Sequence, residues 1–347
     1  MKKTYRLFGL FLVLLLASSA CQQTQVLPSE TDASTEAPSQ DAAEISADNV
    51  EMMTEVYSAS VNSGAISATW AADSSAVWIE DGFSATLYDS TTGEMTAQFN
   101  PGEYAAIYDL SADGKTAAYS QDGMEIRLYD VFSQADVLTI TPDFPYSSAF
   151  FNSDGSLLGA ASMNDIQVVL WDATNGEEKA VLSGFETAAP VYDASFGADG
   201  KILIWFSRGT VQTMQVASQE MGPILSHEDF VTDHTLSPNG KVVATTAAAT
   251  IGGKFLPALT LWDADSGEIL RQIAKEAYYS SIAFSADSSL IAVGSEDTVV
   301  FFSVPHGDEV YQFDNGEAIV NLAFSPDGSK LITCGNSGTI TLYMVEE

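Results

Sequence analysis

From about residue 51 onward, apolar and polar positions trade places in short runs, and the runs come in recurring sets. "NLAFSPDGSKLITCGNSGTITLYM" holds a short apolar strand, a polar turn at Asp-Gly, a second strand, another polar turn and a third strand. The same order returns in "SIAFSADSSLIAVGSEDTVVFFSV", "SAFFNSDGSLLGAASMNDIQVVLWD" and "AIYDLSADGKTAAYSQDGMEIRLYD". Short apolar runs bounded by Asp, Asn, Gly and Ser predict strands joined by tight turns. With the first turn as a ruler, its Asp or Asn falls at Asp73, Asp113, Asp154, Asp199, Asn239, Asp287 and Asp327, in steps of 40, 41, 45, 40, 48 and 40 residues. A period near 40 with about four strands per period predicts an all-β, seven-bladed β-propeller.

The fourth strand of each set begins after a Gly placed 20 residues ahead of the next turn: Gly93 before Asp113, Gly267 before Asp287, Gly307 before Asp327. "EVYSASVNSGAISATWAADS" lies in the same register as "EVYQFDNGEAIVNLAFSPDG", with Glu55 and Glu309 each 18 residues ahead of the ruler position. No blade precedes Glu55, and the seventh set stops one strand short at "TITLYMVEE". The register therefore predicts that Glu55 to Ser60 completes the last blade, closing the ring and covering two open sheet edges.

Trp171-Asp172 and Trp262-Asp263 end third strands, as do "LYD" at 87–89 and 128–130, and "FSPDG" stands at 324–328. Together these resemble a WD40-type propeller over residues 51–347, and the resemblance implies non-catalytic binding of proteins or peptides. A divergent propeller family with similar strands fits the same pattern. The Gly-His dipeptide usual in such repeats is absent, and Met214-Gln215 stands where Trp-Asp would fall in the fourth repeat. The family's His-centred hydrogen-bond network is therefore not expected, and strand packing is expected to hold the blades.

Ahead of the repeats, "MKKTYR" is a basic stretch, "LFGLFLVLLLA" an apolar run short for a membrane span, and "SSAC" a small-residue cleavage site. Residues 1–20 thus have the pattern of a secretory signal. The segment resembles a bacterial lipoprotein signal, which implies lipid on Cys21, a membrane anchor and a place in the cell envelope, although Ser18 departs from the usual aliphatic residue. An ordinary signal peptidase site would leave a soluble secreted product instead. Residues 21–50 are acidic and lack aromatics or a sustained apolar period, as expected of a disordered tether. Its random-coil reach is on the order of 30 Å. The remaining cysteine, Cys334, sits in an apolar run and is expected in the core.

Thirteen Lys and Arg against 47 Asp and Glu give a formal charge of −34, which argues against nucleic acid as a partner. A monomer outside complexes is expected, with an envelope protein or peptide as its partner. No G-x-S-x-G, H-E-x-x-H, P-loop or C-x-x-C appears, so neither an enzyme nor a cofactor is expected. The loop that starts at Asp263 lacks the Glu a calcium loop needs at its twelfth position, where Ala274 stands.

Two features stand out. Six residues ahead of each ruler position lie Ser67, Ile107, Ser148, Asp193, Asp233, Ser281 and Asn321, which would ring the propeller axis. Asp193 and Asp233 beside His234 are a candidate cation site, whereas small polar groups in such a ring also relieve crowding and bind water. The long step of 48 residues places "AAATIGGKFLPA" between the second and third strands of the fifth blade. This loop offers Ile251, Lys254, Phe255 and Leu256 as a candidate interface. Two alternative functions stay open: a hydrolase or lactonase-like enzyme with an axial metal, and a structural lipoprotein of envelope assembly.

Overall fold

The ruler residues fold as the first turn of each sheet. In four blades a Ser two positions earlier donates to the ruler side chain, at 2.5–2.9 Å, as Ser111 does to Asp113 and Ser285 to Asp287. The same Ser oxygen accepts the N–H that opens the second strand, from Leu290 in the sixth blade and from Lys330 in the seventh. These four turns are thus closed by their own side chains, which is why Ser two positions ahead of Asp or Asn marks them.

The computed structural model describes residues 42–346 except 62–66, 103–104, 188, 198–199, 208 and 275–277. The signal segment, Cys21 and most of the expected tether lie outside the described residues, as does Asp199. Seven antiparallel sheets follow in chain order, and their inner strands are Ser67–Trp70, Ala106–Leu110, Tyr146–Phe151, Val191–Phe196, Val231–Leu236, Tyr279–Phe284 and Ile319–Phe324. In most blades the second and third strands lose the alternation of a half-exposed strand. Leu157–Ser162 and Gln167–Asp172, for example, are buried on nearly every residue. Neighbouring blades pack on both faces, so these strands have no solvent side. Between the fifth and sixth blades, for example, Leu259 and Leu261 meet Ile282, Ile291 and Val293.

The expected closure is present. Thr54–Ser60 pairs antiparallel with the last strand, Thr339–Glu346, from Thr54 opposite Met344 to Ser60 opposite Thr339. Behind it, Trp70, Val77 and Ile79 of the first blade pack against Ile332, Cys334, Ile340 and Leu342 of the last. Cys334 is a core residue, and burial pushes its thiol up to about 12.

The folded unit begins earlier than the expected start at Glu51. Ala42 and Ala43 pair with Glu346 and Val345, and Ile45 donates its N–H to Gly328 O at 2.8 Å. Asn49 folds the next turn back, accepting from Ser46 N at 2.8 Å and donating to Glu44 O at 2.9 Å. Ile45 and Val50 are fully buried against Leu290 and Phe301 of the sixth blade and Leu331 and Val345 of the seventh. Two aliphatic side chains in a polar stretch carry no period, but they fill the gap between these blades. Ile45→Ala should therefore lower global stability by about 2–4 kcal/mol, read as a single shifted transition in urea unfolding; an unshifted midpoint would show that the segment is only laid on the surface.

Candidate functional site

Because strands alternate direction, each blade presents two kinds of connection on one side of the ring: the turn between its second and third strands, and the link from its fourth strand to the next blade. This side is termed the entry face. Phe83, Met124 and Met163 stand on second-to-third turns of the first three blades, with relative exposures of 72%, 72% and 50%. Tyr192, Phe230 and Tyr278 lie at or just before the inner strands of the next three blades, and Phe255 on the long hairpin of the fifth. Among the described residues, ten aromatic or Met side chains are exposed, and these seven share the entry face; Met52, Met95 and Phe132 sit toward the other side. The surrounding connections carry Asp81, Asp122, Asp165, Glu228, Asp229 and Glu296. Apolar anchors within an acidic surround distinguish this face from the rest of the surface.

The fifth-blade insertion is not an irregular loop. Val242–Ile251 and Lys254–Asp263 form a hairpin paired along its whole length, from Val242 opposite Asp263 to Ile251 opposite Lys254. Gly252 and Gly253 turn it with φ of 60° and 79°, a left-handed pair that glycine adopts without strain. Lys254 and Phe255 are exposed near its tip, while Ile251 and Leu256 are half-buried.

Its base carries a network that the sequence did not lead one to expect. Trp262 Nε1–H donates to Thr245 Oγ1 at 2.8 Å, and Thr245 Oγ1 lies 2.8 Å from His227 Nε2. Gly209 O can only accept, so His227 Nδ1 carries the ring proton and donates to it at 2.9 Å. In the neutral ring Nε2 then accepts the Thr245 hydroxyl proton, while Thr245 Oγ1 accepts from the indole. The arrangement needs neutral histidine, and burial holds His227 below its ordinary pKa. One blade thus has the His-centred network despite lacking Gly before the His: Ser226 precedes it. The signal was a His 18 residues ahead of a Thr that is itself 17 ahead of Trp-Asp. Glu228, next in the chain, accepts from Thr250 N at 3.1 Å and from its hydroxyl at 2.7 Å, tying the connection to the hairpin.

At the axis, inner strands have no further strand to pair with, and polar side chains satisfy their N–H groups instead. Ile282 N donates to Asp233 Oδ2 at 2.9 Å, Leu322 N to Ser281 Oγ at 3.3 Å and Ala68 N to Asn321 Oδ1 at 3.0 Å. Each bond joins successive blades. In the second blade Ile107 does not take this part. A bulge skips Tyr108, and Asp109 accepts from Phe151 N at 2.6 Å and Leu110 N at 2.8 Å. Asp193 accepts from Ala194 N at 2.8 Å, and Asp233 Oδ1 from His234 N at 2.7 Å. The His234 ring packs edge-on to Trp205, 5.2 Å between centroids. Among the described residues, no three His, Cys, Asp or Glu side chains gather as metal ligands, and Asp233 uses both oxygens on backbone N–H groups.

Burial raises Asp109 to about 7, with Asp193 and Glu80 pushing the same way against its two N–H donors. Burial also raises Asp233 to about 6.

Two segments, 271–302 and 307–343, match the family model described as WD domain, G-beta repeat. Autophagy-related protein 18 of Schizosaccharomyces pombe is 28% identical over 130 residues, 35% of this chain and 31% of that protein. Periodic tryptophan protein 2 of Arabidopsis thaliana is 21% identical over 257 residues, 70% of this chain and 24% of that protein. The matched stretches span a third or less of these curated relatives, both eukaryotic. Among solved structures, the β-propeller domain of Myceliophteria thermophila Cps50 (Swd1) superposes with a TM-score of 0.66 at 14% identity, over 85% of this chain and all of that one. That likeness concerns the fold: the chain carries WD40 repeats in a WD40-like seven-bladed propeller.

The raised carboxyls set a pH dependence. An unfolded Asp titrates near 4 (about 3.9), so between that pH and about 7 the folded state holds the extra proton on Asp109. This contribution to stability is full below the unfolded value and is lost as pH rises through the folded one. Asp109→Asn should therefore flatten the fall in Tm between about pH 5 and pH 8 by roughly 2–4 °C relative to wild type in calorimetry, whereas parallel profiles would place the titration elsewhere.

Proposed function

We propose that this chain is a non-catalytic scaffold that binds a protein or peptide through the entry face. The observation that carries this reading is the gathering of seven exposed aromatic and Met side chains on that face. Exposed groups of this kind cost solubility unless a partner covers them, and they are favoured anchors of protein interfaces. The WD40-like fold is compatible with that role, though fold alone does not assign it. A partner that complements an acidic chain of net charge −34 is basic around an apolar centre. A hydrolase built on an axial metal gains no support from the axial side chains, since Asp233 is engaged by Ile282 and His234 backbone groups.

The proposal extends to location. The signal-like residues 1–20 and the cysteine at the cleavage point support display at the cell envelope, anchored by lipid on Cys21 and held off the membrane by the acidic segment that follows.

Replacing Phe83, Met124 and Met163 together by Ser should abolish crosslinked capture of partners from the envelope fraction, while Met95→Ser with Phe132→Ser on the opposite side leaves it intact. Equal capture by both variants would remove the entry face from consideration. Separately, Cys21→Ser should move the chain from the membrane to the soluble fraction; unchanged fractionation would refute the lipid anchor.

A further inference from the structure

We infer that the entry face of the fifth blade holds a docking pocket for one apolar side chain flanked by Lys or Arg in a partner peptide. The inference rests on the proposed role of that face. A cavity of about 120 Å³ opens between Phe230 and Tyr278, floored by Ala247, Ala248 and Pro257, with Asp229 at its edge. An open groove of about 430 Å³, lined by Ser207, Glu228, Asp229 and Phe230, adjoins it and shares two of its residues. Together they make an apolar hole beside an acidic trough.

The hole has the size for one side chain: about 150 Å³ of apolar cavity accepts a benzene ring, so 120 Å³ suits a Leu, Ile or Met. Its depth comes from sequence. Three small residues in a row, Ala247 to Ala249, stand where the hairpin leaves the blade, and the first two of them line the cavity. Phe230 and Tyr278, 67% and 77% exposed, stand over this floor as walls.

The wall that carries Glu228, Asp229 and Phe230 is fixed before any partner arrives. His227 anchors one end to Gly209 O and Thr245, Glu228 ties the middle to Thr250, and Phe230 N donates to Asp229 Oδ1 at 2.8 Å. Gly209 lies directly against Asp229 O, where a Cβ would collide with it. A rigid wall lowers the ordering cost of binding. The two adjacent carboxylates then select the flanks: acidic neighbours are repelled, and Lys or Arg beside the buried residue is favoured.

The test uses immobilised Gly/Ser peptides that differ at three central positions, Lys-Leu-Lys, Glu-Leu-Glu or Lys-Ser-Lys, probed with the labelled full chain. Lys-Leu-Lys should be retained about tenfold or more above the other two. Ala248→Arg, which fills the hole, and Tyr278→Ser, which removes an exposed wall without touching the core, should each erase that preference while thermal unfolding stays unchanged. Equal retention of the three peptides, no retention of any, or retention indifferent to both variants would overturn the pocket. If retention instead fails in the Phe83, Met124 and Met163 variant, the entry face stands and the pocket falls. If neither set of changes alters capture of envelope partners, the reading of the face falls as well.

Discussion

Closing the ring requires that two segments nearly 290 residues apart in sequence become neighbouring strands. Thr54–Ser60 supplies the outer strand of a blade whose other strands come from the far end of the described chain. The loop entropy of that pairing is large, and the chain offsets it with several interactions in one place. Trp70 Nε1 donates to Ala323 O at 3.1 Å, Ala68 N to Asn321, and Asp327 N to Ser74 Oγ at 3.0 Å, all between first and last blades. Ile45 and Val50 fill the adjoining seam between the sixth and seventh blades. Because each blade packs only on its two neighbours, the seam between first and last decides whether the other six interfaces hold as a ring or as an open array.

The axis shows what closure costs. A propeller turns one edge of every sheet inward, where no strand can pair with it. Asp109, Asp233, Ser281 and Asn321 answer by accepting N–H groups from the following blade, so they serve as inter-blade ties. Using carboxylates for this purpose brings negative groups close together in a confined space. The upward shifts of Asp109 and Asp233 follow chiefly from the burial of these carboxylates, with the neighbouring negative groups a lesser cause, and they make the ring's own ties sensitive to pH near neutrality.

Against this regular frame the fifth blade is the exception. It has the His227, Thr245 and Trp262 network, the extended hairpin and the small-residue floor beneath Phe230 and Tyr278. The network and the Glu228 contact both act on one connection, the wall of the pocket. Rigid blades leave such connections free to vary without loss of fold, which is where a propeller acquires specificity.

The fold was legible in the chain because the strand and turn pattern is local and repeats seven times, so that Asp113 or Asp287 marks its turn without reference to any other blade. The equal offsets of Glu55 and Glu309 from their turns even placed the closing strand. The candidate site was legible only in part: the hairpin with Lys254 and Phe255 announced itself by length, whereas Phe83, Met163 and Tyr278 look like ordinary turn residues one at a time. Ile45 gave no warning either, since a lone aliphatic has no period until the seam it fills exists. In the second blade the axial tie falls on Asp109 rather than on Ile107, and folding brought His227 to Thr245 without the dipeptide that usually signals it. Consecutive residues encode the blades through propensity and alternation; which side chains meet between blades or share a face depends on bulges and ring closure, and these bring together positions that share no pattern along the chain.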